Sequence, residues 1–270
     1  MGSGLLGLID GYLDAVPRAA ARVETIGPFT LFVREGPGWS YYARPTPGCG
    51  PIAAAHVAAV RTRQRELGIP ETFEWVAELA PDLNGAAAAA GLFTEALPLL
   101  HLPVDRFRRV EPAEGFEVRT ISPADDVRLT QAVAAVAFAH PGTGAGSSGE
   151  AALREAAAAI DPAVTGVLRE RLAAGLTVSM TAVRAGVPVA VGSHQPVGDA
   201  TEVVGVGVLP AFRRRGLGAA VTSALVEDAL ARGVRTVFLS AGDEEIARVY
   251  ERLGFERVGT AGAAEPPSAS

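Results

Sequence analysis

The chain has 270 residues, 49% of them hydrophobic, and a formal net charge of −6. That is enough for about two domains with their own cores, and the acidic balance argues against a general nucleic-acid binder. All 24 lysine-or-arginine positions are arginine and Cys49 is the only cysteine, which excludes Schiff-base lysines, lysine phosphate loops, internal disulfides and cysteine-rich zinc sites, and fits a reducing, cytoplasmic setting.

In chain order, "MGSGLLGLIDGYLDAV" lacks a basic leader region and is too short for a signal peptide or membrane span. It predicts the first turns of an amphipathic helix. "FTLFVRE" and "WSYYARP" flank the turn "EGPG" and predict a hairpin. A helix over about Pro51 to Leu67, the strand "TFEWV", the helix "PDLNGAAAAAG" and the strand "TEALPLLHL" follow. The polar, proline-containing "LPVDRFRRVEPAEG" reads as a linker, so the expected domains are 1–114 and 115–270.

The second half opens on the alternating strand "FEVRTIS", with Ser122 as helix cap and Pro123 at the first helical position. An alanine-rich helix, a mobile loop at "HPGTGAGSSGE" and more helix to about Ala174 are expected. Three strands then run from Leu176 to Pro210, with turns at residues 185–186 and 197–200. The spacing of Leu217, Val221, Ala224, Leu225 and Ala229 predicts a helix. "VRTVFLS" is a buried strand, "DEEIARVYERLGF" a helix closed by Gly254, and "FERVGTA" the last strand. The tail "AGAAEPPSAS" reads as disordered.

The two halves share an order of elements. Setting Gly91 against Gly254, an offset of 163, brings Leu83 to Ile246, Trp75 to Phe238 and Pro47 to Pro210. This predicts a diverged internal duplication.

The chemistry concentrates in "VLPAFRRRGLGAAV", where a strand ends in proline and a helix begins behind Gly216 and Gly218. A helix start leaves backbone N–H groups unpaired and carries partial positive charge, and glycines let a phosphate approach the backbone. Arginines add charge and forked donors. The stretch is a diphosphate cradle on physical grounds alone.

It also resembles the acyl-coenzyme A site of the GNAT superfamily of N-acetyltransferases, whose pattern Arg/Gln-x-x-Gly-x-Gly/Ala is met by Arg213, Gly216 and Gly218. "DEEIARVYERLGF" is similar to that family's second motif, and the likeness covers roughly Phe116 to Ala261. The resemblance implies an α+β fold, a mixed and mostly antiparallel sheet flanked by helices, with two related domains of which the first is degenerate. It implies an acyltransferase that moves an acetyl group from acetyl-coenzyme A to a primary amine, small-molecule or peptide, by direct attack. The alternative is an acyl-coenzyme A binder without catalysis, a sensor or scaffold. No metal, nucleic acid or membrane is implied, and monomer and homodimer both stay open.

The resemblance also assigns residues. The diphosphate would lie on Arg213, Arg214, Arg215, Gly216, Leu217, Gly218 and Ala219, and the pantetheine arm beside Val206, Gly207 and Val208, where the strands splay. A backbone N–H there would meet the developing oxyanion. Asp243, in place of the usual asparagine, Ala247 and Tyr250 would complete the donor site. Asp243 can instead cap its helix. Glu202, eleven residues before Arg213, is the candidate base, against a plain surface carboxylate. Tyr250 is the candidate acid, against a core tyrosine. His194, on the neighbouring strand, is the second candidate base and a candidate for acceptor binding, against a structural histidine. Ala87 stands where Tyr250 would, so the first half reads as inactive; its Trp39, Tyr41, Tyr42 and Trp75 are candidates for an acceptor pocket, against core aromatics. His56, His101, His140 and His194 show no paired spacing for a metal, and no Gly-x-Ser-x-Gly elbow occurs.

Overall fold

The computed structural model describes residues 2–267. Contacts divide the chain into two units: one runs to Leu99 and resumes at Arg257, the other is Leu100–Glu256. These limits differ from the expected 114/115 cut. Residues after Leu102 are held by the second unit, with Arg108 N–H donating to Leu253 O (2.9 Å) and Val110 N–H to Ser223 Oγ (3.0 Å).

The first unit begins with helix α1 (Gly2–Arg18) and strands β1 (Ala21–Ile26) and β2 (Phe29–Arg34). The sequence reading missed β1; it forms a tight hairpin with β2 through Gly27, whose φ of +55° suits glycine. Strand β3 (Ala43–Pro45), helix α2 (Ala54–Glu66), strand β4 (Phe73–Val76) and helix α3 (Leu83–Ala89) follow, and β5 (Phe93–Leu102) runs into the second unit. Phe29, Leu31, Phe73 and Trp75 bury one sheet face against Val57, Val60, Leu83 and Ala87. Trp75 is therefore a core residue, and Trp39 is 87% exposed.

The second unit holds β6 (Glu117–Thr120), α4 (Val127–Phe138), α5 (Glu150–Ala159), α6 (Pro162–Ala173), β7 (Val178–Arg184), β8 (Val187–Val197), β9 (Ala200–Val208), α7 (Leu217–Ala231), β10 (Thr236–Ser240) and α8 (Glu244–Glu251), and β11 (Glu256–Glu265) leaves it at Arg257 to return to the first unit. Ser122 does not cap α4. Ser122-Pro-Ala-Asp closes a turn, Asp125 N–H to Ser122 O (3.0 Å), and Asp126 caps the helix instead. Strands β6, β7, β8 and β9 pair antiparallel in sequence, and β10 joins β9 in parallel. One face of this sheet packs on α4 and the other on α7.

The expected disordered tail is corrected in part. Strand β11 reaches Glu265 because Ala261–Ala264 pair with Val76–Phe73 of β4, a partner remote in sequence. Residues 268–270 of that tail lie outside the described residues.

The offset of 163 reappears in the elements. It carries β5 from Phe93–Leu102 onto Glu256–Glu265 and the start of α2, Ala54, onto that of α7, Leu217. The pair β3–β4 is parallel, as is its counterpart β9–β10, and Gly91 and Gly254 both have positive φ, +82° and +101°.

Candidate active site

The register of β9 makes the site. Its parallel pairing with β10 ends at Glu202 opposite Phe238, yet β9 continues to Val208. Beyond that point the two strands are no longer partners, and a wedge opens between them. On its other side β9 is bulged: Ser193 faces Val204 and Val191 faces Gly207, so Gly205 and Val206 together stand opposite Gly192. Gly205 takes φ +64°, as a bulge of this kind requires. The extra residue changes which way side chains point. Thr201 and Val203 face α7 with His194, but Gly207 faces α4, where a Cβ would come 2.8 Å from Ala137 Cβ. A bulge also leaves a backbone group out of the ladder, which is what an oxyanion donor needs.

The cleft beyond the bulge measures about 1020 Å³. Glu202 to Val208 form its floor, Ala137, Phe138 and Pro141 to Thr143 one wall, and Ile246, Val249 and Tyr250 another. Gly216, Leu217, Gly218 and Ala219 close one end. Helix bonding in α7 starts with Ala220 N–H to Gly216 O (3.0 Å), so the N–H groups of Leu217 to Ala219 precede the first helical bond. No side chain caps this helix. Gly216 has φ +72°, and Arg214, a non-glycine, has φ +63°, a conformation that costs about 1–2 kcal/mol and recurs at functional turns.

The three arginines part ways. Arg213 does not reach into the cradle. Its guanidinium donates to Val208 O (3.2 Å), Gly144 O (3.2 Å), Ala137 O (3.0 Å) and His140 O (2.5 Å), and its burial lowers its pKa. It thus ties the turn to the end of α4 and to the glycine loop, which Gly146 N–H to Pro210 O (3.1 Å) and Ala211 N–H to Ser148 O (3.0 Å) also pin. The loop expected to be mobile is held by these bonds. Arg214 lines the cleft, 3.7 Å from Glu245, which also bonds Thr143. Arg215 turns away, over the Phe116 ring at 6.0 Å, and is not among the lining residues.

Of the remaining candidates, Glu202, Asp243 and Tyr250 line the cleft. Tyr250 is 8% exposed, its ring edge-on to Phe255 at 6.0 Å, and burial pushes its pKa up to about 12. The phenol therefore keeps its proton at neutral pH and can donate it. The Asp243 side chain caps α8, accepting from Ile246 N–H at 2.7 Å. Ala247 is 1% exposed, packed in the core, and not in the lining. His194 is also displaced from the expected place: it is fully buried on the α7 face, between Thr201 Oγ1 and Asp228 Oδ2, each at 3.0 Å. Burial outweighs Asp228 and lowers its pKa. It is a satisfied interior histidine and does not border the cleft. Sequence reading missed the bulge, Glu245 and Thr143; only the glycine inside "VVGVGV" hinted at the first.

Residues 152–255 match the acetyltransferase (GNAT) family. This segment belongs to that family. Over 82% of its length the chain is 32% identical to a mycothiol acetyltransferase of Cellulomonas flavigena, but it spans only 64% of that relative's length. Among solved structures it is similar to a GCN5-related N-acetyltransferase from Kribbella flavida (TM-score 0.72, 23% identity, 98% and 96% of the two chains). It is also similar to a tandem GNAT protein from the clavulanic acid biosynthesis pathway (TM-score 0.54, 18% identity, 90% and 79%). The GNAT fold therefore extends over the whole chain. Among the described residues no His/Cys/Asp/Glu cluster could hold a metal, and no helix is long and apolar enough to cross a membrane.

Proposed function

We propose that the chain transfers an acetyl group from acetyl-coenzyme A to a primary amine. One observation carries this reading: the wedge between β9 and β10 joins an uncapped helix start, a bulge, a carboxylate and a protonated phenol in one cleft. The diphosphate would bind the amides of Leu217 to Ala219, and the pantetheine arm would run along Val206 to Val208. Glu202 would take a proton from the attacking amine, which in water is mostly protonated because alkyl amines have a pKa of about 10.4. As the C–N bond forms, a bulge N–H would hold the oxyanion. The C–S bond then breaks, and Tyr250 would protonate the departing thiolate and regain its proton from solvent.

The named relative makes a mycothiol-related amine the first acceptor to try; polyamines and peptide N-termini complete the panel. Acetyl-coenzyme A should raise the thermal midpoint of the chain, and one of these amines should turn over. Tyr250→Phe should lower kcat about 100-fold while coenzyme A affinity, read by calorimetry, stays within about twofold. No stabilisation by any coenzyme A species would overturn the reading. A Tyr250→Phe protein with full turnover would remove the acid step. Acetyl-coenzyme A binding with no turnover on any amine would favour the non-catalytic binder.

A further inference from the structure

Glu202 has a cross-strand partner that the reaction scheme leaves unused. Strands β8 and β9 set Gln195 directly opposite Glu202, so both side chains stand on the face that looks toward α4 and α6. Direct antiparallel partners lie about 4.5–5.5 Å apart at Cβ, close enough for the two head groups to meet. The Gln195 carboxamide has a fixed orientation. Its Oε1 accepts from Arg171 Nη2 (3.3 Å), and an oxygen so engaged turns the NH2 end, a pure donor, toward other acceptors. Arg171 is itself fixed at the end of α6: its Nε donates to Thr177 Oγ1 (3.0 Å) and its Nη2 to Leu176 O (3.3 Å).

We propose that Arg171 and Gln195 are positioning residues for Glu202, the arginine orienting the carboxamide and the carboxamide orienting the carboxylate. The proposal rests on the reading of Glu202 as the base. Three consequences follow from the arrangement. The carboxylate is held in one rotamer toward the cleft, where an acceptor nitrogen must arrive. A donated hydrogen bond and a nearby guanidinium favour its charged form, so that it is ready to accept a proton. The cation at the end of the relay also helps accommodate the negative charge on that wall.

Other charged groups share the space. From α8 and its flanks, Asp243, Glu245, Arg248, Tyr250 and Arg252 line the same cleft, and from the cradle Arg213 and Arg214. Asp243 is spent on its helix cap, Arg213 on four carbonyls and Arg214 on Glu245. The His194–Asp228 pair lies on the opposite face of β9. Arg171 is the cation whose hydrogen bond ends on Glu202's own cross-strand neighbour.

The test is a carbon-detected NMR titration of the Glu202 carboxyl in the full chain, the resonance being assigned by its loss in Glu202→Gln. It needs no acceptor, so it fails or succeeds apart from the turnover experiments. In Gln195→Leu and in Arg171→Met the Glu202 midpoint should rise by about one pH unit, the size expected when a charge-stabilising neighbour is removed. Arg171→Lys should return most of that shift. Gln195→Asn, one methylene shorter, serves if Gln195→Leu does not fold. An unchanged midpoint in both Gln195 and Arg171 variants would overturn the relay and leave the base reading intact. A shifted midpoint with full turnover in Glu202→Gln would show that the relay exists but serves a carboxylate that is not the base.

Discussion

The two helix starts related by the 163-residue offset both lack a side-chain cap hydrogen bond, and they differ in what surrounds them. At α7 the cap is Gly216 and no side chain touches the leading amides. At α2 the equivalent cap is Ala53, and His56 folds back so that its Nδ1 accepts from Ala53 N–H at 3.2 Å. The strands feeding them differ as well. Where β9 has Val206-Gly207-Val208, β3 has Ala43-Arg44-Pro45. Arg44 is fully buried and ion-paired to Asp10, with Nε and Nη1 lacking partners, and Pro45 has no N–H to give. The Glu202 and Tyr250 positions hold Trp39 and Ala87. One copy of the frame leaves its strand end and helix start on an open cleft, and the other fills the matching strand positions with a buried arginine and a proline.

The largest expected difference between the copies is at the matched glycines. A Cβ on Gly254 would meet Arg106 O at 2.0 Å, backbone against backbone, at φ +101°. On Gly91 it would meet only the Arg61 Nη1 side-chain atom at 3.7 Å, at φ +82°. Gly254→Ala should therefore cost about 3 kcal/mol or more, and Gly91→Ala about 1 kcal/mol for the left-handed backbone alone. Urea unfolding of the two variants gives the comparison directly. Equal losses would mean that the residues after Leu102 are not packed against the second unit as described.

Next in size is the buried pair of the first unit. Arg44→Met should cost about 3 kcal/mol, since it strands Asp10 with little solvent to compensate. Adding Asp10→Leu should recover most of that loss, because a matched apolar pair replaces an ion pair whose arginine has unmet hydrogen bonds. A double variant as unstable as the single one would show that the guanidinium does more than neutralise Asp10. Coenzyme A affinity should not change in either.

Much of this contrast was legible from residues alone, for a physical reason. Glycines at a strand-to-helix turn, a tyrosine one turn before a closing glycine and the alternation of β7 to β9 are local signals, and local chemistry decides them. Gly216 and Gly218 accordingly stand at the start of α7 and Tyr250 in α8, all of them on the cleft. What escaped depends on pairing across the chain. The bulge at Gly205 exists only relative to β8, and Ala261–Ala264 of β11 pair with β4, a partner remote in sequence. Arg213 carries the motif's charge, but its geometry sends it to carbonyls of α4 and the glycine loop. His194 is a candidate for the site from its strand alone, and its partners, Thr201 on β9 and Asp228 on α7, lie outside that strand's own pattern.

A smaller effect separates the cradles themselves. A Cβ on Gly218 would lie 3.6 Å from Val208 Cγ2, an ordinary contact, so the fold does not require glycine there. Gly218→Val should leave stability within about 1 kcal/mol and weaken coenzyme A binding at least about tenfold, by filling the space a diphosphate needs. Ala55 is its counterpart in α2, and Ala55→Val should leave coenzyme A binding unchanged. Calorimetric titration of both variants with coenzyme A checks the pair, and equal weakening would mean that both helix starts bind the ligand.

The smallest effect is the pH dependence that His194 gives to the second unit. Burial lowers its pKa below the usual 6.5 in the folded state, so the unfolded chain binds this proton more readily than the folded one. Stability therefore rises with pH through that window: the contribution is whole above about pH 6.5 and is lost as pH falls toward the folded value. Asp228 acts in the same direction at lower pH, its pKa being depressed by Arg232 and His194 against a desolvation that opposes them. His194→Gln keeps a neutral partner between Thr201 and Asp228, and it should flatten the slope of urea-derived stability below about pH 6.5. The first unit has no histidine at the matching position, Leu31, so a chain whose acid sensitivity is unaltered by His194→Gln would place the titrating group elsewhere than this buried pair.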